Sequence, residues 1–239
     1  MAQKRSDAIL AAASGSPGLA ILTRSPVPGR CKTRLIPLLG AEGAAGFHRA
    51  LLLDVLSKAI ALPLGIYLAT TGPGVCRDPT LRQRVSSFKL LRQRGADLGE
   101  RLENVFRQLL RQHSSVVVIG SDSPEISPRT FLSAFRELRW CEAVLGPCPD
   151  GGFYLLGLRS GLQDADLKAL FRGIRWGSRW ALADTLKNMA SLRVTGSLIA
   201  PCGDVDRPRD LTRLFTQMSA DPSLRRRAPE TWRFLATHL

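Results

Sequence analysis

LAILTRSPVPGRCKTRLIPLL, residues 19–39, begins as a short apolar run and ends as a cationic loop. Leu19–Leu22 reads as a buried strand. Pro26, Pro28 and Gly29 then break it, and the loop carries Arg24, Arg30, Lys32 and Arg34. A strand that delivers a stiffened cationic loop to the start of a helix is how α/β proteins present phosphate-binding groups at strand carboxyl ends. A Walker-type P-loop ending on Lys32-Thr33 needs glycines at 26 and 31, where Pro26 and Cys31 stand, so the fit is poor. In an extended loop Lys32 and Arg34, two apart, are expected to point to one side and grip adjacent phosphates. As solvated loop residues they should also leave stability without ligand nearly unchanged when replaced. The competing reading is a basic surface turn with no ligand.

Working outward, Ala41–Leu62 places Phe47, Leu51, Val55, Leu56 and Ala59 at helical spacing, which predicts a helix with one face on a sheet. Leu64–Ala69 is the next strand, closed by Thr71-Gly72-Pro73-Gly74, and Phe88–Leu91 is a weaker one. Leu102, Val105, Phe106 and Leu109 mark a helix after Gly95–Gly99. Val116–Ile119 is β-branched throughout, as a central parallel strand is. Ser127-Pro128 supplies a cap and first-turn proline for the following helix. Ala143–Leu145 and Phe153–Leu158 are two strands around Asp150-Gly151-Gly152. Short helices are expected near Leu167–Phe171 and Trp180–Met189, a last strand at Leu192–Ile199, and a helix from Pro208. The alternation predicts an α/β class with a mainly parallel central sheet and helices on both faces.

The 239 residues contain no linker-like stretch, so residues 18–239 read as a single domain behind a disordered leader at 1–17. Thirty-four Lys+Arg against 20 Asp+Glu give +14, a charge that attracts polyanions or small phosphorylated molecules. Aromatics are only 6% and do not alternate with the basic residues, unlike a base-stacking surface. A nucleic-acid-binding protein therefore stays the reading from another class. Five dispersed cysteines with no CxxC pair argue against a disulfide framework or a zinc site and for a cytoplasmic home. No run approaches the ~20 apolar residues of a membrane span.

Three acidic spots fall at strand ends: Asp122 after the VVVIG run, Asp150 between two strands, and Asp204 with Asp206 before a helix. Carboxylates converging from separate loops suit a hard cation such as Mg2+ or Mn2+, whose other positions phosphate oxygens and water fill. Each also has a local reading: Asp122 as turn former, Asp150 as hairpin turn, Asp206 as helix cap.

Six blocks in order extend these observations: TRSPVPGRCKTRL (23–35), GADLGERL (95–102), VVVIGSDSPEI (116–126), AVLGPCPDGGFYLLGL (143–158), LFRGIRW (170–176) and DVDRPRDL (204–211). Over roughly residues 19–215 the chain resembles the radical-SAM/selenodomain-associated transferase family, a domain of unknown function often labelled an arsenosugar-biosynthesis glycosyltransferase. More distantly it is similar to 2-phospholactate guanylyltransferases. The resemblance implies the nucleotide-diphospho-sugar transferase (GT-A, Rossmann-like) fold. It further implies that Lys32 and Arg34, with Arg24 nearby, hold nucleotide phosphates, and that Asp122 and Asp206 hold the metal. Asp97 and Arg101 become nucleoside or phosphate contacts, with helix capping as the competing role for Asp97. Asp150 becomes the general base. Arg207 stands where the family usually has threonine, which leaves the cap geometry there open.

The expected function is a metal-dependent transferase using a nucleotide-activated donor and a small-molecule acceptor, first a glycosyltransferase. The alternative is a nucleotidyltransferase that joins a nucleoside monophosphate to a phosphorylated acceptor. Neither nucleic acid nor membrane is an expected partner.

Overall fold

Alternate side chains of the central strands enter opposite cores, and this sets the layers. The computed structural model describes residues 15–72 and 74–239. Residues 1–14 of the expected leader lie outside them. Its strands are β1 (Gly18–Thr23), β2 (Gly65–Thr70), β3 (Lys89–Arg92), β4 (Ser115–Gly120), β5 (Ala143–Pro147), β6 (Phe153–Arg159) and β7 (Gly196–Leu198). They form one sheet in the order β3-β2-β1-β4-β6-β5-β7. All pairings are parallel except the two made by β6, which runs against both β4 and β5. The order reverses direction between β1 and β4, the place where open α/β sheets leave a crevice at the strand carboxyl ends.

The helices are α1 (Ile36–Ile60), α2 (Pro79–Val85), α3 (Leu98–Leu109), α4 (Pro128–Glu137), α5 (Asp164–Phe171), α6 (Ala181–Ser191), α7 (Pro208–Ala220), α8 (Pro222–Arg227) and α9 (Pro229–His238), with a single turn at Gly74–Arg77. Leu19, Ile21, Val117 and Ile119 face one core with Leu52, Val55 and Leu56 of α1 and Phe131 of α4. Ala20, Val116 and Val118 face the other, with Leu102, Val105, Phe106 and Leu109 of α3 and Leu167 and Leu170 of α5. Each fully buried Leu, Ile or Phe on these faces contributes about 1.5–3 kcal/mol relative to exposure.

Two expectations need correction. Phe47 and Leu51 do not join the sheet-facing stripe of α1. They pack in a third core with Leu211, Leu214, Met218 and Leu235, so α1 is buried between the sheet and the C-terminal helices. Asp54, also on α1, accepts hydrogen bonds from the backbone N–H groups of Glu230 (3.1 Å) and Thr231 (2.8 Å), capping the start of α9. The expected strand Leu192–Ile199 shrinks to Gly196–Leu198, because α6 runs on to Ser191 and Arg193 then takes φ 56°. Gly40, at φ 69°, breaks α1 after its first turn, so its continuous part begins at Ala41 as the periodicity predicts.

Ser16 is anchored: its carbonyl lies 2.7 Å from His113 Nδ1, whose Nε2 lies 2.7 Å from the Tyr67 hydroxyl. No helix among the described residues is long and apolar enough to cross a membrane.

Candidate functional site

Lys32 has left-handed backbone, φ 45° and ψ 40°, which is uncommon for a residue with a Cβ. The kink drops the chain into the single 3-10 turn Thr33–Leu35, with Leu35 fully buried, and sends the lysine stem inward. Its ammonium meets the carbonyl of Val205 at 2.7 Å, Asp206 Oδ1 at 2.8 Å and Asp122 Oδ1 at 3.0 Å. The lysine side chain is 4% exposed, while the two carboxylates are 38% and 41% exposed. The extended backbone expected for the pair, and the solvated side chain expected for Lys32, are therefore overturned. Alternation along a strand governs side-chain direction only while the backbone is extended, and here it is not. Arg34 stays outside, 59% exposed, with its guanidinium 3.7 Å from Asp206 Oδ2.

Asp122 follows β4, and its own carbonyl accepts a hydrogen bond from Val205 N at 3.1 Å, which joins the two carboxylate-bearing loops. Burial pushes the Asp122 carboxyl up, but the Lys32 ammonium and His48 pull harder and hold it well below the usual carboxylate range. Burial alone would depress Lys32, and the two aspartates outweigh it, leaving the ammonium above its ordinary value. His48, projecting from α1, has Nδ1 3.6 Å from Asp122 Oδ1 and Nε2 3.0 Å from the Arg24 carbonyl. The Thr23 and Ser121 hydroxyls, 3.1 Å apart, link the ends of β1 and β4.

These groups sit in a cleft of about 720 Å³ at the β1–β4 switch point, and Arg24, Arg30, Asp97, Arg101, Phe153 and Asp204 also line it. Asp97 caps α3, accepting from Glu100 N at 2.9 Å, so its local role is realised on the cleft wall. Arg101 Nε donates to the Gly95 carbonyl at 3.1 Å.

Beyond Asp206 lies a second cleft of about 840 Å³, which shares Arg34, Asp204 and Asp206 with the first and adds Asp150. Asp150 Oδ1 accepts from Gly152 N at 2.9 Å, the turn role expected of it. Burial, then the Asp206 and Asp150 charges, push the Asp204 carboxyl up to about 6.

Two donor sets offer themselves to a cation. Cys148, Asp150 and Asp204 bring a ligand atom each within 4.8 Å of one another. The Cys148 thiol in this set is a soft ligand, suited to Zn2+ or Cu+ rather than to Mg2+ or Mn2+. Asp122 and Asp206 already converge on one positive charge, that of Lys32, and offer hard oxygens open to the cleft. That pair fits Mg2+ or Mn2+ better.

The family model described as "Uncharacterized protein conserved in bacteria (DUF2064)" matches residues 52–178, more than half of the chain. The chain belongs to this family. Among curated proteins none matches the chain. Of solved structures, one from Desulfovibrio desulfuricans G20, provisionally named a nucleotide-diphospho-sugar transferase, is 27% identical, with a TM-score of 0.80 over 94% of this chain and 95% of that one. A CMP:2-keto-3-deoxy-manno-octonic acid synthetase complexed with CTP is 14% identical, with a TM-score of 0.52 over 86% and 99%. A 4-diphosphocytidyl-2C-methyl-D-erythritol synthase from Anaerococcus prevotii is 10% identical, with a TM-score of 0.54 over 86% and 99%. The DUF2064 chain thus has the mainly parallel fold of nucleotide-diphospho-sugar transferases expected from its sequence.

Of the residues expected at the site, the first cleft gathers Arg24, Lys32, Arg34, Asp97, Arg101, Asp122 and Asp206, whereas Asp150 lines only the second. The sequence reading left Asp204 without a role and passed over His48, Arg179 and Arg213. A histidine in the mainly apolar stretch 44–56 was the one available signal for His48. The arginines were indistinguishable among so many others.

The Asp150 turn is rigidly seated. Gly151 has φ +90°, and a Cβ there would lie 2.1 Å from the Arg179 carbonyl oxygen. Gly151→Ala is expected to destabilise the protein by at least about 2 kcal/mol, lowering the thermal midpoint by about 4–8 °C. An unchanged midpoint would mean that this contact is loose.

Proposed function

We propose that this protein is a metal-dependent transferase acting on a nucleotide-activated donor, with residues 18–239 working as one domain. The observation that carries the reading is the meeting of Asp122, Asp206 and Lys32 under a cationic loop, at the switch point of the sheet. The name given to the Desulfovibrio desulfuricans protein supports it. The five free cysteines suit a cytoplasmic location.

In this reading Arg24 and Arg34 bind the donor's phosphates, with Asp97 and Arg101 on the same wall. Lys32, its three protons taken by Asp122, Asp206 and the Val205 carbonyl, holds the two carboxylates in place instead of reaching phosphate. Asp122 and Asp206 would hold Mg2+ or Mn2+, which when bound supplies charge neutralisation at the phosphates. Cations fixed before the reaction stabilise the charge that develops on the leaving group without reorganising. For glycosyl transfer, Asp150 takes the proton of an acceptor hydroxyl. The hydroxyl oxygen bonds to the anomeric carbon as the bond from that carbon to the phosphate oxygen breaks, releasing a nucleoside diphosphate.

A second reading, nucleotidyl transfer, is favoured by the loop itself, since the three arginines Arg24, Arg30 and Arg34 on one cleft suit a triphosphate. There an acceptor oxygen bonds to the α-phosphorus and pyrophosphate leaves.

The test is a panel of nucleoside diphosphates, triphosphates and nucleotide sugars, titrated with and without Mg2+ or Mn2+. A ligand held only with metal is expected, at 100 times its dissociation constant, to add ~2.7 kcal/mol of stability. The midpoint should then rise by roughly 5–11 °C. Turnover yielding a nucleoside diphosphate identifies glycosyl transfer, and pyrophosphate identifies nucleotidyl transfer. A panel in which nothing binds, or in which binding ignores metal, overturns the proposal.

A further inference from the structure

The second cleft is lined by five arginines, Arg34, Arg179, Arg207, Arg209 and Arg213, drawn from three separate stretches of chain. Three of its four carboxylates are engaged by the protein's own donors, Asp150 by Gly152 N at 2.9 Å among them, and Asp204 is the fourth. Asp206 holds Lys32 at 2.8 Å, and Asp210 Oδ2 accepts the backbone N–H groups of Arg207 (2.9 Å) and Asp206 (3.3 Å). Its guanidinium groups are not matched in the same way. Arg209 reaches Asp210 only at 3.7 Å and is 77% exposed. Among the described residues Arg179, Arg207 and Arg213 have no carboxylate within 4.0 Å. Five guanidinium groups against four carboxylates leave the lining with an excess of positive charge, carried on exposed side chains around a concave volume.

Two of these arginines rise from fixed backbone. The Arg179 segment is held against the Asp150 turn, where Leu182 N donates to the Gly151 carbonyl at 3.0 Å and Gly151 has no room for a Cβ. Arg213 lies over Gly203, with a guanidinium nitrogen 2.8 Å from where a Cβ on that glycine would stand, and it donates to the Asp204 carbonyl at 3.4 Å. The amino end of α7, at Arg207-Pro208, adds its partial positive charge to the same wall. Planar guanidinium forks match phosphate and carboxylate oxygens pairwise, whereas a neutral sugar offers hydroxyls without the charge.

Position gives the cleft its part in the reaction. It meets the nucleotide cleft at Arg34, Asp204 and Asp206, so a molecule held there approaches the donor from the far side of the proposed metal pair. Asp150, the proposed base, lines this cleft and not the other. We infer that the second cleft is the acceptor subsite, and that the acceptor is a small anion whose phosphate or carboxylate group is held by Arg179 and Arg213, with Arg207 at its edge. The inference rests on the transferase reading for the word acceptor, but not for the anion site itself.

The experiment titrates the full chain calorimetrically with glycerol 3-phosphate, glycerate and glycerol. At least one of the two anions is expected to bind and glycerol not. Binding of glycerol 3-phosphate alone identifies phosphate as the recognised group, and binding of glycerate alone identifies carboxylate. Arg179→Ala with Arg213→Ala should weaken the bound anion at least about tenfold, the loss of charge-assisted hydrogen bonds. Both side chains are exposed, so the fold should tolerate the change. The control pair Arg82→Ala with Arg136→Ala, exposed and outside both clefts, removes the same charge and should leave affinity within about twofold. Failure of both anions to bind overturns the inference. So does binding that ignores Arg179 and Arg213, or that falls equally in the control. Nucleotide binding with metal is read in parallel on every variant and should persist. Nucleotide binding without any anion binding removes this subsite and leaves the transferase proposal standing. Anion binding through these arginines in a protein that takes no nucleotide ends the acceptor assignment together with that proposal.

Discussion

Asp122→Asn and Asp206→Asn are each expected to lower metal-dependent nucleotide affinity by at least about a hundredfold, equivalent to ~2.7 kcal/mol. The two carboxylates reach the cleft from loops after β4 and before α7, and they converge on the Lys32 ammonium at 3.0 and 2.8 Å. A hard cation between phosphates and protein needs this kind of oxygen pair. Asparagine keeps the shape but loses the charge, and one uncharged partner leaves the ion under-neutralised. The fold should survive, because Lys32 retains the other aspartate and the Val205 carbonyl at 2.7 Å. Calorimetric titration of each variant with the best nucleotide, with and without metal, makes the measurement. A variant that binds with wild-type affinity and metal dependence removes that residue from the site.

Lys32→Met is expected to cost about 2 kcal/mol of stability in the absence of metal, a fall of about 4–8 °C in the thermal midpoint. Breaking a fully buried pair costs about 3–5 kcal/mol. Both carboxylates here are more than a third exposed, and water screens part of that loss. Methionine replaces the lysine stem but leaves Asp122 and Asp206 without their shared buried counter-charge, with only the exposed Arg34 at 3.7 Å beside Asp206. The effect should depend on pH with a definite sign. The folded protein holds the Asp122 carboxyl below its unfolded value, so its contribution is present above about pH 4 and fades as pH falls through the folded value. The gap between wild type and variant should therefore narrow in acid. Mg2+ or Mn2+ should raise the variant's midpoint more than that of the wild type, since the ion replaces the missing charge. Equal midpoints at neutral pH in a chelator would show that Lys32 is no counter-ion. This expectation reverses the one drawn from sequence, in which Lys32 was a solvated loop residue.

Much of the architecture was legible from local chemistry. Val116–Ile119, β-branched and apolar on both faces, announced the central strand β4, which is buried between β1 and β6. Pro26, Pro28 and Gly29 announced the end of β1, and the Ser127-Pro128 cap announced α4. Short-range sterics and a period of two or 3.6 residues decide such features, and both are written in neighbouring residues. The cationic loop and the aspartates at strand ends were legible for the same reason, because turn chemistry fixes where a chain leaves the sheet.

Only tertiary structure decided what those residues do to one another. The left-handed turn at Lys32, not its spacing from Arg34, buries its ammonium between Asp122 and Asp206, partners 90 and 174 positions away. Phe47 and Leu51 share a helical stripe with Val55 and Leu56, yet they face the C-terminal helices, because periodicity marks burial without saying against what. The gathering of Arg179, Arg207 and Arg213 around one hollow left no local trace, since each is an ordinary exposed arginine in its own segment. Proximity across a fold is set by how helices pack on a sheet, and a charge reads its neighbours through space rather than along the chain.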